Sequence, residues 1–195
     1  MIEDILNLDT ELFIYLNSLG FPLFDNFWIF LSTKEANVLF YSTLLFLYFF
    51  KRSLKFKFSE LFYLLILIAF MITITDQTAN LFKDSFQRLR PCYNEMIKDS
   101  LRLVKESCGG KYGFFSAHAS NSFTLAVFFG LLYKNKFKYL IYFSLLYASL
   151  ISYSRIYLGV HFPLDLSLIH ISEPTRLRRI SYYGLCIKKK RVGGG

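Results

Sequence analysis

The sequence is poor in charge. Asp, Glu, Lys and Arg make up 19% of its 195 residues, whereas about 25% is usual in soluble domains. Hydrophobic residues reach 54% and the mean hydropathy is +0.36. This composition excludes an ordinary soluble domain, and the chain length suits a single domain.

Histidine and cysteine are also scarce, with three of each. No group of these residues with Asp or Glu has the spacing of a metal site, so we predict no metal and no cofactor. The 15 residues between Cys92 and Cys108 suit a disulfide in an oxidising compartment. Two free thiols are the alternative, and the sequence leaves both open.

The N-terminus lacks positive charge. Residues 1–17 contain no Lys or Arg and carry Glu3, Asp4, Asp9 and Glu11. A secretory signal begins with a positively charged region, so we expect the first membrane helix to direct the chain to the membrane.

Long apolar runs are present at four places, which are residues 36–50, 61–75, 123–133 and 139–152. A membrane-crossing helix needs about 20 residues for ~30 Å of hydrocarbon, so flanking residues must contribute to each crossing. The pattern predicts an all-α, multi-pass transmembrane helical bundle with four strong crossings. Residues 12–31 are broken by Gly20 and Pro22 and carry Asp25, so an interfacial helix and a first crossing both remain open there.

The basic residues of two short loops predict the orientation. Between the first two runs lie Lys51, Arg52, Lys55 and Lys57, and between the last two lie Lys134, Lys136 and Lys138. Positive loops stay in the cytoplasm, which places residues 83–115 and the segment after 152 on the outer surface. For a bacterial cytoplasmic membrane this is the periplasmic side.

The end of the sequence looks foreign. Residues 166–176 read LSLIHISEPTR, which resembles a translated transposase-type DNA sequencing adaptor. We expect residues 1–165 to form the domain, residues 166–195 to be an artefactual tail, and a last helix to be missing. The tail holds +6 of the formal net charge of +9, so no nucleic-acid partner is expected. The alternative is a natural cytoplasmic basic tail attracted to anionic lipid.

Three polar segments carry residues suited to phosphate chemistry. Lys83 and Arg90 are seven residues apart, which puts them on one face if a helix continues to Pro91. Ser116, Ala117 and His118 precede an apolar run, where a helix N-terminus offers free N–H groups to an anion and Ser116 either caps the helix or binds phosphate.

The third segment is the most specific. Pro163 suits the first turn of a helix, and the spacing of four between His161 and Asp165 lets the carboxylate reach the imidazole. A carboxylate on one ring nitrogen leaves the other free to act as nucleophile or base. Asp76 is interpreted as an interfacial carboxylate or a partner of the cations, and Arg88 as a solvated side chain.

Together these segments read K-x6-R-P, S-x-H and S-R-x5-H-x3-D over residues 83–165. In this order they resemble the signature of the type 2 phosphatidic acid phosphatase and vanadium haloperoxidase superfamily. The second part departs from the usual Pro-Ser-Gly-His, with Phe115 for Pro and Ala117 for Gly, although Ala keeps the backbone N–H. The hydrophobicity of the chain excludes the soluble haloperoxidases.

The resemblance implies a role for each matching residue. His161 would attack phosphorus and form a phosphohistidine, Asp165 would orient it, and His118 would protonate the leaving group and then activate water. The phosphate-binding residues would be Lys83, Arg90, Ser116, Ala117 and Arg155. No metal is needed in this scheme.

The expected function is therefore hydrolysis of a lipid phosphate monoester or diphosphate at the outer membrane surface. Members of the family act on polyprenyl diphosphate, phosphatidate or phosphatidylglycerophosphate. A non-catalytic membrane protein or an inactive fragment of such an enzyme is the alternative. Oligomeric state is not indicated by any pattern in the chain.

Overall fold

The computed structural model describes residues 2–50, 58–105, 107–135 and 137–167. Within these ranges it contains six α-helices, which are α1 (Ile2–Ser18), α2 (Asp25–Leu31), α3 (Lys34–Phe50), α4 (Phe58–Phe86), α5 (Ala117–Leu132) and α6 (Leu140–Tyr157). The described residues form no strand beyond an isolated bridge between Leu89 and Tyr112. The predicted all-α class is confirmed, and the four apolar runs lie in α3 to α6.

Helix α5 packs against α4 and α6 at the centre of the bundle. One core cluster joins Tyr41 and Leu44 of α3 to Leu125 and Phe129 of α5. Gly130 permits close packing of α5 on α6, because a Cβ there would lie 2.6 Å from Ile141 Cγ1. The bundle thus fixes the positions of these helices relative to one another.

Helix α4 is, among the described helices, the one long and apolar enough to cross a membrane. Its 29 residues correspond to roughly 43 Å at ~1.5 Å per residue. Many of its large apolar side chains are exposed, and those of Phe62, Tyr63, Phe70 and Ile74 are between 48% and 69% exposed, as expected for a lipid-facing surface. The number of crossings, four or more, remains a prediction.

Residues 12–31 do not form one continuous helix. Helix α1 ends at Ser18, a 3-10 helix follows at Pro22–Phe24, and α2 has seven residues. Phe13 of α1 packs edge-on against Phe162, with ring centroids 5.1 Å apart, and Trp28 of α2 packs against Tyr157 at 5.3 Å. Both helices therefore lie against the C-terminal end of α6.

Several predictions concern residues outside the described ranges. These are the basic loop at 51–57, Lys136, and the foreign character of the tail beyond residue 167. The missing last helix and the cytoplasmic placement of the loops stay predictions.

Candidate functional site

The first pair of cations lies at the C-terminal end of α4 and in the segment that follows it. Lys83 lies in the last turn of α4, which ends at Phe86. Gln87 has a φ of 47°, and this left-handed conformation ends the helix before Arg90. The expectation that one helix face carries both cations up to Pro91 is therefore wrong. Arg90 nevertheless lies close enough to Lys83 for its charge to act on the ammonium group.

Arg90 is anchored by the loop that precedes α5. Its Nη1 donates to the Cys108 carbonyl at 2.7 Å, its Nε to the Tyr112 carbonyl at 3.2 Å, and its backbone N–H to the Lys111 carbonyl at 3.1 Å. Cys108 is joined to Cys92 by a disulfide, so the free-thiol alternative does not hold. The guanidinium is thus fixed by backbone groups on one side.

Ser116 connects the second segment to the third. It is the N-cap residue of α5, but its side chain makes no capping hydrogen bond. Its backbone N–H donates to the Asp165 carbonyl at 2.9 Å. Its Oγ is buried and has no partner among the described residues, which is costly for a hydroxyl. Of the two predicted roles, capping is excluded.

The end of α6 directs His161 into the site. Gly159 has a φ of +78°, and the N–H groups of Gly159 and Val160 donate to the carbonyls of Ile156 and Arg155 at 3.0 and 3.1 Å. This pair of hydrogen bonds is a Schellman motif, which reverses the chain at a helix end. His161 follows at once, where its side chain is 2% exposed.

The expected contact between His161 and Asp165 is present. Asp165 Oδ2 lies 3.4 Å from His161 Nδ1 and accepts the Phe162 N–H at 3.0 Å. A 3-10 helix begins at Pro163 and carries Asp165 in its first turn. Because Oδ2 faces Nδ1, we assign the imidazole proton to that nitrogen, which leaves Nε2 with its lone pair.

Arg88 and Asp9 also belong to the site, and sequence reasoning missed both. Arg88 is not solvated as expected: its Nη1 donates to Asp165 Oδ1 at 3.0 Å and its Nη2 contacts Asp9 Oδ2. Its guanidinium also lies over the Phe162 ring, 4.4 Å from the centroid. Asp9 of α1 is buried and accepts the Leu164 N–H at 2.9 Å.

A sequence signal for Arg88 existed. Arg88 and Arg90 are two residues apart, which in an extended segment places both side chains on one side. The expectation failed because a helix was assumed to continue to Pro91. No comparable signal marked Asp9, whose partners are Arg88 and Leu164.

The electrostatics of the site favour a neutral His161. Burial lowers the pKa of this imidazole well below its usual value, and the positive charges of Arg155, Arg90 and Lys83 lower it further. Burial raises the pKa of the Asp165 carboxyl to about 6, although Arg88 acts in the opposite direction. At neutral pH the pair is therefore an ionised carboxylate beside an uncharged ring.

Arg155 completes the group of cations around His161. It lies in the last turn of α6 and is 5% exposed. Its Nη1 contacts the Ser32 hydroxyl, whereas its Nε is buried without a hydrogen-bond partner in the described part of the chain. Buried donors on Arg155 and Ser116 are thus free to bind an anionic ligand.

His118 faces a cavity on the other side of this group. It is the second residue of α5, and it lies close enough to Arg155 and His161 for their charges to act on it. With Ala117 it lines a cavity of about 680 Å³ between α3, α4 and α5. The opposite part of the cavity is apolar and is lined by Leu45, Leu65, Ile68, Ile72, Leu125 and Phe129.

This arrangement suits transfer of a phosphoryl group from an amphiphile. A neutral imidazole stands among three cations, and a second imidazole lines a largely apolar cavity. Cations stabilise the charge of a transferring phosphoryl group. No cluster of three or more potential metal ligands occurs among the residues that the structure describes.

Comparisons with known proteins agree with this geometry. A model of the PAP2 superfamily matches residues 60–168. A lipid A 4'-phosphatase of Porphyromonas gingivalis is 35% identical over 165 residues, which are 84% of this chain and 67% of that protein. A lipid A 4'-phosphatase of Bacteroides thetaiotaomicron is 35% identical over 168 residues, which are 85% of this chain and 72% of that protein.

Two solved structures have a similar fold. The crystal structure of Aquifex aeolicus LpxE is 28% identical, with a TM-score of 0.59 over 83% of this chain and 87% of that one. The transmembrane PAP2 type phosphatidylglycerolphosphate phosphatase from Bacillus subtilis is 18% identical, with a TM-score of 0.57 over 84% of this chain and 77% of that one. The second similarity bears on the fold alone.

Proposed function

The chain belongs to the PAP2 superfamily and is a membrane phosphatase, and from this premise we propose that it hydrolyses a lipid phosphate monoester or diphosphate through a phosphohistidine on His161. The observation that carries the proposal is the buried, neutral His161, held by Asp165 and surrounded by Lys83, Arg90 and Arg155. A nucleophile of this kind needs a free lone pair and a nearby orienting group, and His161 has both.

In the first step His161 Nε2 attacks phosphorus. The N–P bond forms while the bond from phosphorus to the leaving oxygen breaks. His118, which carries a proton when the anionic phosphate is bound beside it, gives that proton to the leaving oxygen. In the second step neutral His118 takes a proton from water, the water oxygen attacks phosphorus and the N–P bond breaks. Inorganic phosphate is released and both imidazoles return to their first state.

The phosphoryl oxygens are bound by groups from all three segments. Lys83, Arg90 and Arg155 supply positive charge, and two of these side chains supply guanidinium forks. The unpartnered Ser116 hydroxyl and the Ala117 N–H at the start of α5 supply further donors. These donors act on charge that grows in the transition state.

The lipid nature of the substrate is supported by the cavity beside His118. Its apolar wall and the presence of His118, the proposed leaving-group acid, in its lining suit an alcohol attached to hydrocarbon. Two relatives bear names that state action on lipid A at the 4'-phosphate. We place the reaction at the outer, periplasmic surface, and the positive charge of the two short loops supports this placement. These observations favour the enzyme over the non-catalytic alternative.

The proposal is tested with the purified chain in detergent. Phosphate release is measured from a panel of lipid mono- and diphosphates in the presence of excess chelator. We expect release that the chelator does not affect and that His161→Ala abolishes. Release that requires added metal and survives His161→Ala would reject the mechanism.

A further inference from the structure

The cavity beside His118 has a carboxylate in its wall. Asp76 of α4 and Asn121 of α5 both line it, and Asn121 lies about one helical turn below His118. Asn121 Nδ2 donates to Asp76 Oδ1 at 2.8 Å, and the Thr75 hydroxyl contacts Asn121 Oδ1. These two contacts fix the orientation of the amide and of the carboxylate.

The position of the Asp76 carboxylate within α4 is unusual. Among the described helices, α4 is the long apolar one, and acidic residues inside such helices are costly and mark functional sites. The charge of Asp76 acts on Lys83, two helical turns further along α4. However, Asp76 forms no ion pair, and its Oδ2 no hydrogen bond, with any residue in the described ranges.

The position of Asp76 and Asn121 indicates which part of the substrate they contact. In the proposed mechanism His118 delivers a proton to the leaving oxygen, so the leaving group must lie on the His118 side of the phosphoryl group. That side is the cavity. Its part near His118 carries the polar pair, and its deeper part is apolar.

We propose that Asp76 and Asn121 form a subsite for hydroxyl groups of the leaving group, so that the preferred substrate is a phosphorylated lipid with a sugar or polyol head. This inference rests on the proposed function. Asp76 Oδ2 accepts a hydrogen bond from a substrate hydroxyl, and Asn121 holds the carboxylate for it. An ionised carboxylate is an acceptor only, and its hydrogen bonds are stronger than neutral ones.

The same pair disfavours a leaving group without hydroxyls. Such a group would cover Asp76 Oδ2 with hydrocarbon and leave the charge without a partner. Sites built to bind a substrate hydroxyl select strongly against analogues that lack it. Asp76 is therefore a specificity-determining residue on this view, and its effect depends on the substrate.

The test compares two lipid phosphates, an acylated glucosamine phosphate and dioleoyl phosphatidate, whose diacylglycerol leaving group has no other hydroxyl. The variants are Asp76→Ala, the isosteric Asp76→Asn, and Gln77→Ala as a control. Gln77 is exposed on the same helix and does not line the cavity. We expect Asp76→Ala to lower kcat/KM for the sugar lipid about 10- to 100-fold, the loss of a hydrogen bond to a charged group.

For dioleoyl phosphatidate the expected change is within about threefold, and Asp76→Asn should fall between wild type and Asp76→Ala for the sugar lipid. Equal losses with both substrates would overturn the inference, because they would mean that Asp76 acts through Lys83 or through folding. No loss with either substrate, or wild-type hydrolysis of phosphatidate alone, would overturn it too.

The same assay also tests the proposed function. If wild type releases phosphate from both lipids and His161→Ala from neither, the mechanism stands whatever Asp76 does. If wild type releases none, or if His161→Ala remains active, the proposed function fails and the inference fails with it.

Discussion

Arg88 joins the Asp165 carboxylate to the first helix. Its Nη1 donates to Asp165 Oδ1 at 3.0 Å, while its Nη2 contacts Asp9, and Asp165 is 0% exposed. Asp165 Oδ2 then faces His161. Since α1 supplies Asp9, this helix takes part in holding His161, the proposed nucleophile, although it carries none of the three signature segments.

Replacing Arg88 should impair the contact between Asp165 and His161. Arg88 acts against the effect of burial on the pKa of Asp165, so Arg88→Gln should raise that pKa further. We expect kcat to fall about 10- to 100-fold, the effect of losing a hydrogen bond between charged groups. The acid limb of the pH profile of kcat/KM should move to higher pH, and Arg88→Lys should restore part of both.

A merely structural role of Arg88 gives a different result. It would lower the amount of folded enzyme and leave the midpoint of the acid limb unchanged. The pH profile of purified Arg88→Gln in detergent therefore separates the two roles.

The state of Asp165 also predicts how wild type responds to pH. Its folded-state pKa is raised from 3.8 to about 6. The ionised form orients His161, so kcat/KM should rise as pH increases through about 6. Stability should change in the opposite direction, because the folded state binds more protons than the unfolded state between these values. The contribution of Asp165 to the free energy of unfolding is fully present below about pH 4 and is lost as pH rises through about 6.

The substrate also titrates near this pH, since the second pKa of a phosphate monoester is about 6. Asp165→Asn is the control. In this variant the pH profile of kcat/KM keeps the change caused by titration of the substrate and loses the change caused by titration of Asp165. The ratio of wild-type to Asp165→Asn kcat/KM should increase with pH through about 6. A ratio that is constant with pH would contradict the assignment.

The fold was predictable where short-range patterns decide it. Apolar length predicted α3 to α6, because buried or lipid-facing helices must be apolar. It underestimated α4, whose polar residues from Asp76 to Ser85 continue the helix beyond the run at 61–75. The positive φ of Gln87 ended that helix, and a non-glycine residue in this conformation leaves no reliable sequence signal.

The site was predictable where its residues are neighbours in the chain. The spacing of four placed Asp165 beside His161. The partners Arg88 and Asp9 are 79 residues apart. Tertiary contacts bring α1 to this place, among them the packing of Phe13 on Phe162 and the hydrogen bond from Asn17 Nδ2 to the Ile156 carbonyl. No local pattern encodes such a contact, so α1 was assigned no part in the site.

Ser116 offers a test of ligand binding without a folding effect. Its Oγ is buried and unpartnered among the described residues, so Ser116→Ala should not lower the thermal stability of the free protein. If the hydroxyl binds a phosphoryl oxygen, kcat/KM should fall at least about tenfold. Ser144→Ala is the matched control, because Ser144 Oγ is also buried without a partner but lies within α6.

Ser144→Ala should therefore change neither the thermal stability nor kcat/KM. An equal loss of activity in both variants would indicate an indirect effect. A loss of stability confined to Ser116→Ala would indicate that the hydroxyl supports the fold.

Gly113 should be sensitive to a single methyl group. A Cβ at this position would lie 2.8 Å from Asp165 Oδ2 and 3.2 Å from Arg90 Cγ. Gly113→Ala should displace the carboxylate from His161 and lower kcat about a hundredfold, as small misplacements of catalytic groups do. Gly110→Ala is the control, because a Cβ there meets nothing within 4 Å. Wild-type kcat in Gly113→Ala would refute this account of the site.

The two-step mechanism predicts that the phosphorylated enzyme can be trapped. His118→Ala removes the group that activates water in the second step. With p-nitrophenyl phosphate the leaving group departs without a proton, so the first step should still proceed in this variant. The purified variant, mixed with the ³²P-labelled ester, should show a burst of p-nitrophenol and then hold the label on the protein.

The chemistry of that label identifies the nucleophile. A phosphohistidine is labile in acid and stable in alkali, whereas an acyl phosphate on Asp165 is labile in alkali. The double variant His118→Ala, His161→Ala should carry no label, because Nε2 of His161 forms the bond to phosphorus. An alkali-labile label, or one that persists in the double variant, would show that a residue other than His161 attacks phosphorus. Turnover of the ester by His118→Ala without any label on the protein would indicate direct attack by water.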